Sequence, residues 1–249
     1  MATAQSVRIA YDDVGQGDPS VVLMHGLFED RTYYADQVRH LSARHRVLNI
    51  DLRGHGGSDV PEDGYSLDVL ADDVARVCDE AGVKQAVLCG HSMAVALKVA
   101  VRRPDLAAGV MLLDGAVLIV PPALEGLQQL INAVEGDGWR EALLGYFGRV
   151  AGPVADRVRT DISEAPRAYA LPILRDIVAC NGAAHVEELA RLECPLLYVH
   201  GAMPLDLDQL RQAQPDVIVE TIPDAGHYLM LTAPDRVNAL FDQFMEVIR

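Results

Sequence analysis

The sequence predicts an α/β protein built on a doubly wound, mostly parallel sheet with helices on both faces. Three features carry that expectation. Short apolar runs rich in β-branched residues alternate with stretches of helical periodicity. Most of those runs are continuously apolar rather than alternating, which is the pattern of strands covered on both sides. One long stretch, 120–192, breaks the rhythm and holds helical segments only.

Taken in order, strands are expected at Val21–Met24, Val47–Ile50, Ala86–Cys89, Val110–Leu113, Leu196–Val199 and Val217–Ile222. A helix follows Ser66, a natural N-cap, and places Leu67, Leu70, Val74, Val77 and Cys78 on one face before ending near Gly82. A second spans Ala94–Arg103 and stops before Pro104, because proline disfavours helical backbone in the residue ahead of it. The last starts at Pro234, with Val237, Leu240, Phe241 and Phe244 turned inward. Within 120–192, Gly136-Asp137-Gly138, Gly152-Pro153 and Asn181-Gly182 separate helices, and Trp139, the only tryptophan, lies near Tyr146 and Phe147. The stretch reads as a helical insertion over one edge of the sheet. That gives a core of 1–119 and 193–249 and a cap of 120–192.

Composition narrows the function classes. With 21 Lys+Arg against 36 Asp+Glu, the formal charge of −15 repels nucleic acid and anionic membrane and favours solubility. A small-molecule substrate is the expected partner. Cys78, Cys89, Cys180 and Cys194 are scattered in apolar contexts without a CxxC pair, so buried free thiols in a reducing compartment are expected. The N-terminal MATAQSVRIAYDD lacks the apolar stretch of a signal peptide. Asp114 and Pro121-Pro122 interrupt the most apolar segment, Ala107–Leu124, which makes it a poor membrane span. The expectation is a soluble, cytoplasmic protein.

The chemistry concentrates in three short motifs. Gly90-His91-Ser92-Met93-Ala94 lies between a strand and a helix, the setting of a nucleophile elbow. A serine in so sharp a turn needs small residues two before and two after it, and Ala94 meets that need where glycine is usual. The pattern also arises by chance, so its place after a strand is what gives it weight. His25-Gly26-Leu27-Phe28 ends an earlier strand, where a backbone N–H completes an oxyanion hole; Leu27 and Met93 are the expected donors. Asp224-Ala225-Gly226-His227 follows the last strand, where a loop histidine can reach back to the serine. A lone histidine is more often structural, but one in that loop, after an elbow, fits a general base. Gly54-His55-Gly56-Gly57-Ser58-Asp59 lacks the third glycine of a dinucleotide fingerprint, and neither a P-loop nor HExxH is present. No cofactor or metal is implied.

These motifs, together with Asp51-Leu52-Arg53-Gly54-His55-Gly56-Gly57-Ser58, come in the order and spacing of the α/β-hydrolase superfamily, which the chain resembles over nearly its whole length. The resemblance implies an α/β-hydrolase fold: a mostly parallel central sheet, helices on both faces and a helical cap. It gives the RGHGxS loop a structural role, so His55 and Ser58 are expected to take no part in chemistry. In the family the triad acid most often stands three residues past a glycine that ends the penultimate strand. Here that position is Pro204, with Asp206 and Asp208 just beyond. Some relatives, including certain haloalkane dehalogenases and cofactor-independent dioxygenases, place the acid after the strand that follows the elbow helix. Asp114 occupies that place, though the superfamily also often shows a strand-end aspartate there with no chemical task.

The expected reaction is acyl transfer to water from a small carboxylic ester, lactone or thioester. Ser92 is the nucleophile, His227 the base and Asp114 the orienting acid, with Phe28, His91 and Trp139 as substrate contacts. A serine nucleophile argues against dehalogenase or epoxide hydrolase chemistry, whose resembling families use aspartate. A cofactor-independent dioxygenase or lyase using the Ser–His pair for proton abstraction is the first alternative. A ligand-binding receptor without catalysis is the second.

Overall fold

The apolar runs pair into one seven-stranded sheet in the computed structural model, which describes residues 7–152 and 154–248. The strands are β1 (Tyr11–Val14), β2 (Ser20–Met24), β3 (Val47–Ile50), β4 (Ala86–His91), β5 (Ala107–Leu113), β6 (Leu196–His200) and β7 (Ile218–Thr221). Their order is β1-β3-β2-β4-β5-β6-β7, with β1 antiparallel to β3 and every other pair parallel. Residues of β2, β3 and β4 are buried throughout, as continuous apolar runs require. Strand β1 escaped the sequence reading because Asp12 and Asp13 carry it. An edge strand needs no buried face, and its two carboxylates pair with Arg31 and Arg46.

The core helices are α1 (Ala35–Leu41), α2 (Leu67–Glu80), α3 (Val95–Arg102), and near the C-terminus α9 (Leu207–Ala213), α10 (Leu229–Thr232) and α11 (Pro234–Val247). A 3-10 turn, Arg31–Tyr34, precedes α1. Helix α1 packs with α11, and α2 packs with α3. Helix α2 forms as expected: the Ser66 hydroxyl accepts the Val69 N–H at 3.2 Å, and Leu67, Leu70, Val74, Val77 and Cys78 are buried. Each such aliphatic side chain contributes roughly 1.5–3 kcal/mol by leaving water. Gly82, at φ +69°, ends the run in a backbone region that favours glycine.

Residues 121–190 form α4 (Pro121–Val134), α5 (Trp139–Phe147), α6 (Ala155–Glu164), α7 (Arg167–Cys180) and α8 (Ala183–Ala190). Helix α4 packs on α5 and α7, and α5 on α6, whereas α8 packs on α3 and α9. The insertion meets the rest of the chain through α8, through α7, which also packs on α2, and through Tyr33, whose hydroxyl donates to Asp161 on α6 at 2.6 Å. The break between α6 and α7 at Ala165-Pro166 carries no glycine and was not expected. No helix among the described residues is long and apolar enough to cross a membrane. All four cysteines are free thiols, but only Cys78 and Cys89 are buried; Cys180 and Cys194 are half-buried, a correction to the uniform burial expected of them. Cys180 lies at the end of α7, where its thiol faces the Asp176 carboxylate at 3.9 Å.

Chain order places the site. From β2 the chain steps outward to β3, then returns to β4 on the other side of β2 and moves outward through β5, β6 and β7. Such a switch leaves a crevice beyond the carboxyl ends of β2 and β4, where ligands of open α/β sheets bind. Met24 pairs with Gly90 and His91 with Leu113, so His25–Phe28, Ser92 and Asp114 leave the sheet side by side.

Candidate active site

Ser92 sits at φ +60°, a conformation L-residues rarely adopt, and β4 ends directly beneath it. The turn is crowded. A Cβ on Gly90 would come 2.9 Å from Ala96 Cβ, which explains the small residue there. Ser92 N–H donates to the Leu113 carbonyl at 3.1 Å, which fastens the elbow to β5. Unlike Met93, which is fully buried, Ser92 is partly exposed.

His227 comes from the loop between β7 and α10. Its Nε2 lies 3.1 Å from Ser92 Oγ and its Nδ1 2.7 Å from Asp114 Oδ2. Asp114 is fully buried at the end of β5. Its Oδ1 accepts the N–H groups of Gly201, Ala202 and Met203 at 2.7, 3.0 and 3.0 Å. Burial alone would raise the carboxyl pKa. The hydrogen bond and charge of His227, with the N–H groups of Met203 and Gly201, outweigh it and hold the group below the usual carboxylate range. The loop after β6, where the resemblance looked for an acid, thus supplies donors to an acid on the neighbouring strand. Asp206 is exposed and caps α9 by accepting the Gln209 N–H at 2.9 Å, and Asp208 is an exposed partner of Arg211.

The loop after β2 closes as a turn in which Glu29 N–H donates to the Gly26 carbonyl at 3.3 Å and Phe28 stands at φ +67°. Leu27 N–H has no hydrogen-bond partner among the described residues. Met93 N–H lies 2.6 Å from the His91 carbonyl across the elbow. His25 Nε2 accepts the Leu52 N–H at 3.0 Å, so its Nδ1 proton goes to the Gly26 carbonyl at 2.8 Å. His25 is therefore a neutral brace between two loops, and burial pushes its pKa down. Burial likewise takes His55 down to about 3, and Ser58 Oγ donates to the Asp51 carbonyl at 2.6 Å. The His55 ring also packs 4.0 Å from that of Tyr169 on α7, and Ser58 Oγ accepts the Ala10 N–H at 2.8 Å, so both fasten the RGHGxS loop to its surroundings.

Of the three expected substrate contacts, one holds a suitable place. Phe28 faces the cap, with its ring 5.4 Å from Phe147 on α5 and 6.0 Å from Tyr169 on α7. His91 does not: its side chain is 0 % exposed, turned under the triad with Nε2 on the His227 carbonyl. Trp139 opens α5 between the guanidinium groups of Arg140 and Arg167, 4.3 and 5.8 Å from its ring. Those are contacts internal to the cap. The sequence reading missed Glu29, whose carboxylate is buried against His91 and Gly26.

The family model described as "Alpha/beta hydrolase family" matches residues 21–240. A 2-(acetamidomethylene)succinate hydrolase of Mesorhizobium japonicum is 28% identical over 92% of this chain and 88% of its own length. A putative non-heme chloroperoxidase of Synechocystis is also 28% identical, over 97% and 96%. Among solved structures, a thermophilic esterase from Thermogutta terrifontis superposes with a TM-score of 0.81 at 27% identity, covering 99% of this chain and 96% of that one. With the sheet order, the elbow and the matched span in agreement, the chain belongs to the alpha/beta hydrolase family.

Proposed function

We propose that the protein is a serine hydrolase that cleaves a small carboxylic ester, lactone or thioester through an acyl-enzyme. The observation that carries this reading is the unbroken chain Ser92 Oγ–His227–Asp114, at 3.1 and 2.7 Å. His227 Nδ1 donates to the Asp114 carboxylate, which leaves Nε2 free to accept the serine proton. Ser92 Oγ attacks the carbonyl carbon as His227 takes its proton. The imidazolium formed is stabilised by Asp114 and then protonates the leaving alcohol or thiol. Water, deprotonated by His227, cleaves the acyl-enzyme in turn.

The developing oxyanion takes the Leu27 N–H and competes with the His91 carbonyl for the Met93 N–H. Phe28 supplies an apolar wall where the cap meets the core. The likeness to the Thermogutta terrifontis esterase and to the 2-(acetamidomethylene)succinate hydrolase supports hydrolysis of an acyl group, and the substrate class is our reading of the site. Ser92→Ala tests it: turnover of a small activated acetate ester is expected to vanish while the circular dichroism spectrum and Tm stay near wild type. Full turnover in Ser92→Ala removes the acyl-enzyme. Oxygen uptake with aromatic heterocycles in place of ester cleavage would move the Ser–His pair to proton abstraction.

A further inference from the structure

Beneath the triad lies a charged pair that the proposed reaction does not use. Glu29 and His91 are both buried, and His91 Nδ1 is 2.7 Å from Glu29 Oε1, an ion-pair contact that is not aligned as a hydrogen bond. The other carboxylate oxygen accepts the Gly26 N–H at 2.7 Å. The other ring nitrogen, Nε2, lies 2.8 Å from the His227 carbonyl. A carbonyl oxygen only accepts, so Nε2 carries a proton. Burial by itself lowers the His91 pKa, yet the Glu29 carboxylate and the His227 carbonyl turn the balance and raise it above the ordinary histidine value. Glu29 moves the other way: burial raises its pKa, and His91 with the Gly26 N–H brings it below the usual range.

Two buried ions cost more to desolvate than a well-packed apolar pair, so stability alone gives no reason for them. Their contacts give one. Glu29 holds the backbone one residue before Leu27, the expected oxyanion donor. His91 is the residue before the nucleophile and holds the backbone of the base. The pair thus ties the oxyanion turn and the elbow, which leave the paired strands β2 and β4, to the histidine loop that follows the distant edge strand β7. Gly26 is shaped around it: a Cβ there would stand 2.6 Å from Glu29 Oε1 and 2.8 Å from His91 Nδ1. We propose that Glu29 and His91 are positioning residues, a buried clamp that sets His227 against Ser92 and the Leu27 N–H against the oxyanion. The clamp rests on the serine-hydrolase reading, since it orients groups that this reading makes catalytic.

The test compares Glu29→Ala, Glu29→Gln and Ser92→Ala on one small acetate ester. Losing the clamp misplaces groups that act in the transition state, so Glu29→Ala is expected to lower kcat by about 10- to 100-fold with KM within about threefold. Glutamine gives up the charge but keeps the shape: its oxygen can accept the Gly26 N–H while its NH2 faces Nδ1 of a neutral His91. Glu29→Gln should therefore retain kcat within about threefold of wild type. A merely structural role would instead lower Tm and the fraction of active sites, with kcat per active site unchanged. Wild-type kcat in Glu29→Ala overturns the clamp, and so does a Gln variant as impaired as Ala at an unchanged Tm. Should Glu29→Ala not fold, Glu29→Asp shortens the reach by one methylene, and wild-type kcat there is equally fatal. Ester turnover surviving in Ser92→Ala would remove the serine-hydrolase reading and the clamp together. A dead Ser92→Ala beside fully active Glu29 variants would remove the clamp alone.

Discussion

Asp114 and Ser92 both stand at positive φ, +47° and +60°, where a non-glycine residue costs of order 1–3 kcal/mol. Such conformations persist only when their surroundings over-determine them. For Asp114 the surroundings are three N–H groups and His227. Asp114→Asn is expected to lower turnover by about 10⁴, the loss seen when the orienting acid of a serine triad is changed to its amide. Asp206→Asn and Asp208→Asn should stay close to wild type, because both side chains face solvent. Steady-state kinetics of the three variants on one ester check this, and a dead Asp206→Asn would contradict it. The pH dependence of stability follows from the same carboxylate. Its folded pKa lies below its unfolded value of about 3.9, so its contribution is complete above that value and disappears as pH falls through the folded pKa. The fall in Tm between pH 6 and pH 3 should therefore be shallower for Asp114→Asn than for wild type, by thermal melts across that range. An equal or steeper fall would show that Asp114 carries no such linkage.

The cap and the turn after β2 meet through aromatic rings, and that contact separates two side chains the sequence had grouped together. Phe28 belongs to the oxyanion turn and touches α5 and α7. Trp139 is held by arginines, one of which, Arg167, also donates to the carbonyls of Val134 and Glu135 at the end of α4. Phe28→Ala is expected to change the ratio of kcat/KM between a long-chain and an acetate ester by about tenfold, since it removes an apolar wall. Trp139→Ala should lower Tm and reduce activity on both esters equally. The reverse pattern, a preference shift from Trp139 and none from Phe28, would relocate the pocket.

The central strands and the helices after Ser66, Ala94 and Pro234 were legible because burial on both faces or along one stripe writes itself into apolar spacing. Strand β1 was not, since edge position and two exposed aspartates erase that spacing. The proposed nucleophile and base, Ser92 and His227, stood in recognisable turns. The proposed oxyanion donors, Leu27 and Met93, are backbone N–H groups, which a sequence marks only through the turns that present them. Glu29 was illegible because its partner is 62 positions away, and a loop glutamate reads as a solvated charge until the sheet order brings β2 beside β4.

At the scale of the whole molecule, every group in the site comes from a loop at one edge of one sheet, and the loops are packed against each other. A Cβ on Gly201 would stand 2.2 Å from the Gly226 carbonyl, where the turn that holds Asp114 touches the turn that carries His227. The formal net charge of −15 makes the molecule as a whole repel anions. An anionic ester should accordingly show a kcat/KM that rises as salt is added up to about 0.15 M, where the Debye length falls to about 8 Å, while a neutral ester of equal reactivity stays flat. A salt-independent anionic ester would mean that local cations cancel the field. The proposed activity itself reduces to whether Ser92 Oγ bonds covalently to an acyl-like electrophile with the help of His227. The most direct measurement is intact mass and peptide mapping after exposure to a serine-directed fluorophosphonate, for wild type, Ser92→Ala and His227→Ala. The expected result is one phosphonyl group on wild type, mapped to Ser92, with ester turnover lost in proportion, none on Ser92→Ala and labelling slowed by orders of magnitude in His227→Ala. Modification at another residue, with turnover intact in Ser92→Ala, would contradict it.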